Sequence, residues 1–131
     1  MDAAPEPRVL VIGLDPYRVP GPWDPTPVAE GIESGRARFI EHGLPAEFCL
    51  FGLDGSDDVH TVVTAALRAH RWECVVIGGG VRHDLDLFET VINLVHRHAP
   101  QASIAYNATP ADTYDAAARS IKTLNRLPRS G

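Results

Sequence analysis

The sequence predicts an α/β domain, a three-layer α/β/α sandwich built on a four-stranded parallel sheet, and three observations carry that prediction. Four short apolar runs rich in β-branched residues recur along the chain: RVLVIGLD (8–15), EFCLFGLD (47–54), ECVVIGGG (73–80) and ASIAYNA (102–108). Each is nearly continuous in its apolar character, as parallel strands covered on both faces require. The segments between them have helical period, so strand and helix alternate four times. The 131 residues, 44% hydrophobic and 22% charged, match ordinary globular usage and suffice for one domain over residues 1–131.

The first predicted helix opens at Thr26 as N-cap with Pro27 at its first position, places Val28, Ile32, Phe39 and Ile40 on one face, and ends at Gly43. The second runs from about Asp57 to His70. It carries Val59, Val62, Val63, Ala66 and Leu67 as a stripe and leaves His60, Thr64 and Arg68 on the polar side. The third is expected to start at a capping box, Asp86 with Glu89 three residues on, and to bury Phe88, Val91, Ile92 and Val95 before Pro100 stops it. The fourth repeats the cap-then-proline device with Thr109 and Pro110. It buries Tyr114, Ala117, Ala118, Ile121 and Leu124 and ends in Arg119, Lys122 and Arg126, favourable at the negative end of the helix dipole. Right-handed crossovers between four such units give the strand order 2-1-3-4, a flavodoxin-like or Rossmann-like arrangement without a fifth strand.

Composition removes several function classes. A formal charge of −5, with the basic residues dispersed, gives no electrostatic footprint for nucleic acid. No run approaches the length of a membrane span, and the opening MDAAPEPR lacks a basic segment followed by an apolar one, so a cytoplasmic protein is expected. Cys49 and Cys74 lie apart in apolar runs and are expected to be buried thiols. His96 and His98, two apart on a helix, diverge and form no zinc pair; neither metal nor cofactor is expected. Asp54, Asp57 and Asp58 read as a turn and a helix start, and glycine stands where a phosphoacceptor receiver domain needs an acid after its third strand.

In an open parallel sheet ligands bind beyond the carboxyl ends of the strands, where the strand order reverses, here between the first and third strands. Two unusual connections meet there. The first, DPYRVPGPWDPTP (15–27), is the longest loop in the chain; it offers Asp15, Tyr17 and Arg18, and its Trp23 is expected to anchor the loop rather than cover a ligand ring. The second, Gly78-Gly79-Gly80-Val81-Arg82-His83-Asp84, leads from strand to helix. Backbone N–H groups at Gly79 and Gly80 with the Arg82 guanidinium suit an anion, and His83 exchanges a proton near neutral pH. Asn107 and Thr109 follow the fourth strand beside it.

These residues make the leading expectation a site for a small anionic, phosphorylated or nucleotide-like molecule. Tyr17, Arg18, Gly79, Gly80, Arg82, Asp84, Asn107 and Thr109 are the binding candidates, with Asp15 and His83 as the acid and base if a reaction follows. A non-catalytic regulatory or homo-oligomeric interaction module, using the Pro-rich loop and a sheet edge, is the alternative.

The stretch WECVVIGGGVRHDLDLFETVINLV resembles the third-strand segment of lumazine synthases, and IAYNATPADTYDAAARS is similar to that family's fourth strand and following helix. With the residues between them they span about 50 residues. The resemblance implies a parallel sheet of the same kind, often assembled into oligomers, and a lumazine-synthase-like transferase as a third functional possibility. Arg119 falls where the family has an arginine for its phosphorylated substrate. Leu87 stands where the family has histidine before phenylalanine, and Phe51-Gly52-Leu53-Asp54-Gly55 replaces the family's Pro-Gly-x-x-Glu loop. The whole chain also resembles a group of small bacterial α/β proteins sharing the GGGVR and Asn-x-x-Pro patterns.

Overall fold

Four parallel strands, β1 (Val9–Leu14), β2 (Ala46–Phe51), β3 (Cys74–Ile77) and β4 (Ser103–Tyr106), form one sheet in the order β2-β1-β3-β4. The computed structural model describes residues 7–126, with side chains through 122. Register is continuous, with Val9 beside both Ala46 and Cys74, and Cys74 beside Ser103. The predicted flavodoxin-like α/β architecture is therefore the observed one.

Strand alternation divides the core in two. Leu10, Ile12, Phe51, Val75 and Ile77 meet helices α2 (Val59–Ala69) and α4 (Leu85–His98) through Val63, Leu67, Val91, Leu94 and Val95. On the opposite face Val9, Val11, Cys74, Val76 and Ala105 meet α1 (Thr26–Glu41) and α5 (Thr113–Arg126) through Phe39, Ala116 and Ala117. Trp72 locks the α2–β3 connection: it is fully buried and its indole N–H donates to the Ala66 carbonyl at 3.1 Å. An indole of that size removes enough apolar surface for on the order of 4–6 kcal/mol.

Several helix ends differ from expectation. Thr26 is not the N-cap of α1; Pro25 takes that position and the Asp24 carboxylate accepts from the Thr26 N–H at 3.0 Å. The C-terminus is a Schellman turn, with Gly43 at φ +65° and the Leu44 and Gly43 N–H groups on the Phe39 and Ile40 carbonyls. Ile40 is 77% exposed, because the buried stripe of α1 follows Val28, Ile32, Gly35 and Phe39, and Ile40 lies a hundred-degree step beyond it. Helix α2 starts at Val59, after Asp58, and Thr64 leans inward, its hydroxyl oxygen buried without a partner.

Helix α4 is capped by Asp84, which accepts from the Leu87 N–H at 3.1 Å, and not by Asp86. Its buried residues are Val91, Leu94 and Val95, with Phe88 and Ile92 half-buried. Thr109-Pro110 opens a 3₁₀ turn (Pro110–Asp112) rather than α5 itself; the Asp112 carboxylate accepts from the Ala108 and Thr109 N–H groups. In α5 Ala117 is buried while Tyr114, Ala118 and Ile121 are half-buried; the Leu124 and Arg126 side chains lie outside the described residues. Cys74 is buried, but Cys49 is only half-buried, its thiol pushed up to about 11 chiefly by desolvation.

Candidate functional site

The carboxyl ends of the strands hold a crevice of about 310 Å³ on the face shared with α1 and α5. Its floor follows from the strand alternation. On that face the last side-chain positions of the two central strands are Gly13 and Gly78. The Gly78 N–H donates to the Ile12 carbonyl at 2.8 Å, and a Cβ on Gly78 would sit 3.4 Å from the Gly13 Cα. Two adjacent positions that would carry core side chains carry none, so the sheet stops filling its own surface at this row. Val11 and Phe48 lie one step below, while Leu50, register partner of Gly13, forms one side.

Walls and roof come from four segments. Helix α1 supplies Val28 and Ile32, and the Pro110 turn closes the opposite side with Ala108, Thr109 and Thr113. That turn approaches α1 closely because two helix positions are bare: a Cβ on Gly35 would lie 2.4 Å from the Pro110 carbonyl oxygen, and one on Gly31 3.2 Å from the Pro110 Cβ. The Pro-rich loop forms the roof with Pro16, Val19 and Trp23; the Trp23 indole N–H donates to the Val19 carbonyl at 3.1 Å, anchoring the loop while its ring stays 40% exposed over the crevice.

The glycine run is helical rather than an open loop. Gly78 is the N-cap of a one-turn helix α3 (Gly79–Arg82), and the run is bare for two different reasons. A Cβ on Gly80 would meet Leu14 at 2.7 Å, whereas one on Gly79 meets nothing nearer than the Arg82 guanidinium at 3.7 Å. Gly80 thus serves packing, and Gly79 leaves open surface at the crevice.

Arg82 does not line the crevice; its guanidinium turns back into the protein. It donates to the Ile77 carbonyl at 2.5 Å, the Asn107 carbonyl at 2.5 Å and the Asn107 amide oxygen at 3.2 Å, and lies 5.6 Å from the Tyr106 ring centroid. Asn107, 6% exposed, passes the link on: its amide nitrogen donates to the Thr113 hydroxyl at 3.0 Å, which donates to the Pro110 carbonyl at 2.7 Å. The chain from Arg82 to Pro110 ties the ends of β3 and β4 to the turn before α5.

Asp15 and Arg18 come together, but beside the crevice. The Asp15 carboxylate accepts from the Tyr17 N–H at 3.0 Å and from Arg18 at 2.9 Å. Arg18 also reaches Asp57 at 2.6 Å and Ser56 at 3.0 Å, so it fastens the Pro-rich loop to the β2–α2 connection. A Cβ on Gly52 would lie 2.7 Å from the Arg18 Cβ, which explains that glycine. Tyr17 is 67% exposed and outside the lining. Of the sequence candidates, His83, Gly79, Gly80, Asn107 and Thr109 are gathered around the crevice, whereas Asp15, Tyr17, Arg18, Arg82 and Asp84 are not. Asp15 and His83 therefore do not share the lining of this crevice. Leu87 packs half-buried against the core, and Arg119 donates to the Tyr106 carbonyl at 3.4 Å, away from the crevice.

The Arg18 cluster gives a pH prediction. The Gly52 N–H and then the Arg18 guanidinium hold Asp57 below its ordinary value, and the Ser56 hydroxyl and N–H do the same for Asp54. For depressed carboxylates the stabilisation is present above the unfolded value, about 3.9, and is lost as pH falls through the folded value. The Leu53 amide, which donates to the Arg18 carbonyl at 2.9 Å, is expected to lose hydrogen-exchange protection below about pH 4, earlier than the β1 amides. Asp57→Asn is expected to weaken that protection already at neutral pH; equal loss at Leu53 and in β1 would show that the cluster holds nothing locally.

Among the described residues no group of three or more His, Cys, Asp or Glu is placed to hold a metal ion, and no helix is long and apolar enough to cross a membrane. No protein-family model matches the chain, and no curated protein matches it.

Proposed function

We propose that the chain binds a small molecule in the crevice beyond the carboxyl ends of β1, β3 and β4. The observation that carries this reading is the floor: Gly13 inside β1 and Gly78 directly after β3 leave two adjacent positions bare at the row where the sheet's α1–α5 face opens to the outside. Burial favours filling such a row with Val or Ile, and glycine in a strand interior costs about 0.5–1 kcal/mol relative to alanine. Packing accounts in part for Gly78, where a Cβ would lie 3.3 Å from the Ile12 carbonyl oxygen. A Cβ on Gly13, however, meets only Leu50, at 3.4 Å, and there a ligand seat gives a reason for the bare position that stability does not. The volume falls at the lower end of the range for small-molecule sites, and its place is the one where open parallel sheets bind ligands.

The Pro-rich loop favours this reading over an interaction module, because Pro16, Val19 and Trp23 face the crevice as its roof.

A thermal-shift screen with a fragment collection, run on the wild type, Gly13→Ala and Gly13→Val, tests the proposal. A Cβ on Gly13 meets only Leu50, at 3.4 Å, so Gly13→Ala is expected to fold with undiminished stability, and the ligand-free melting temperature of each variant is the baseline for its shift. A ligand at a hundred times its dissociation constant adds about 2.7 kcal/mol, a shift of several degrees for the wild type. Gly13→Ala is expected to reduce the shift and Gly13→Val to abolish it. A shift that persists in full in Gly13→Val places the binding elsewhere.

A further inference from the structure

We infer that the molecule bound in the crevice is an uncharged or singly charged compound with a compact apolar body and one hydrogen-bond-accepting oxygen, rather than a phosphorylated one. The inference rests on the reading of the crevice as the binding site and names the class of ligand it takes.

The lining contains no Lys, Arg, Asp or Glu among the described residues; His83 is its one ionisable side chain. Both arginines that sequence reasoning placed here are occupied: Arg82 by the Ile77 and Asn107 oxygens, Arg18 by Asp15 and Asp57. A phosphate dianion entering the crevice would lose hydration without a cationic partner, the costliest way to bury charge.

The polar groups that remain restrict the ligand further. The Asn107 amide is committed to Arg82 and Thr113, and the Thr113 hydroxyl to Pro110. The His83 imidazole and the Thr109 hydroxyl donate to no described residue, and both belong to the lining. They share the lining with the apolar side chains of Val11, Val28, Ile32, Phe48 and Trp23. Such a site matches a molecule whose apolar body lies on the glycine floor and whose hydroxyl, carbonyl or carboxylate oxygen meets His83 and Thr109.

Three probes with one ring system, naphthol, naphthoate and naphthyl phosphate, separate the classes in titrations of the full chain followed by amide chemical shifts. Naphthol and naphthoate are expected to perturb Gly13, Gly78 and Gly79 and to bind at least tenfold more tightly than the phosphate, a difference of about 1.4 kcal/mol. The double variant His83→Phe, Thr109→Val is expected to lose that affinity at least fivefold while its β-strand amides keep their positions. Phosphate binding as tight as naphthoate, or no loss in the double variant, overturns the inference. If none of the three binds while other fragments perturb the same amides, the ligand class is wrong and the site stands. If no compound of any kind perturbs them, the site reading falls as well.

Discussion

Replacing Arg82 by alanine is expected to destabilise the ligand-free protein by about 2–3 kcal/mol, because its guanidinium satisfies three acceptors at once. The Ile77 carbonyl and the Asn107 carbonyl and amide oxygen would all lose their donor, at the junction of β3 and β4. Arg82→Lys is expected to recover only part of the loss, since one ammonium cannot span acceptors on two strands as a planar fork does. Urea unfolding of the three proteins measures this directly. An unchanged midpoint in Arg82→Ala, with ligand stabilisation abolished, would instead return Arg82 to the anion-binding role its position in the sequence suggests.

A second large effect is expected at Gly35, where the ordinary rule reverses sign. Glycine to alanine inside a helix normally stabilises by about 1 kcal/mol. Here the new Cβ would sit 2.4 Å from the Pro110 carbonyl oxygen, which is backbone and cannot rotate aside. The helix and the turn must separate, and the expected net result is a loss of about 2 kcal/mol, since overpacking of this kind costs roughly 1–3 kcal/mol or more. Gly31→Ala meets the Pro110 ring carbons at 3.2 Å and is expected to be close to neutral. The contrast checks that Gly31 and Gly35 set the spacing of α1 from the Pro110 turn, hence the width of the crevice. Equal melting temperatures for Gly35→Ala and the wild type would contradict it.

The fold was legible because its signals are local and redundant. Continuous apolar runs marked β1 to β4, and helical stripes such as Val59, Val63 and Leu67 needed no knowledge of what they pack against. Helix ends were less legible: Asp84 and Asp86 are both plausible caps by sequence, and only the one-turn helix α3 decides for Asp84. Ile40 was misplaced because it neighbours Phe39 in the chain but lies off the stripe that Gly35 completes.

The position of the site was legible from strand order, but its chemistry was not. Arg82 reads as an anion ligand until its direction is known, and that direction is set by Asn107, 25 residues away. Arg18 reads as a free cation until Asp57 and Ser56, more than 35 residues on, are seen beside it. The floor was missed because Gly13 and Gly78 are unremarkable singly. Their meaning arises from adjacency across two strands on one face, a relation that only the sheet register supplies.

The central claim, a ligand seat over that pair of glycines, is tested most directly by the amide spectrum of the wild-type chain with the tightest-binding fragment from the screen. The account predicts perturbations centred on Gly13, Gly78, Gly79 and Thr109 and fading along β1 toward Val9. Perturbations confined to the opposite end of the sheet, at the groove of Phe39, Ile40, Leu44 and Phe48, would contradict it.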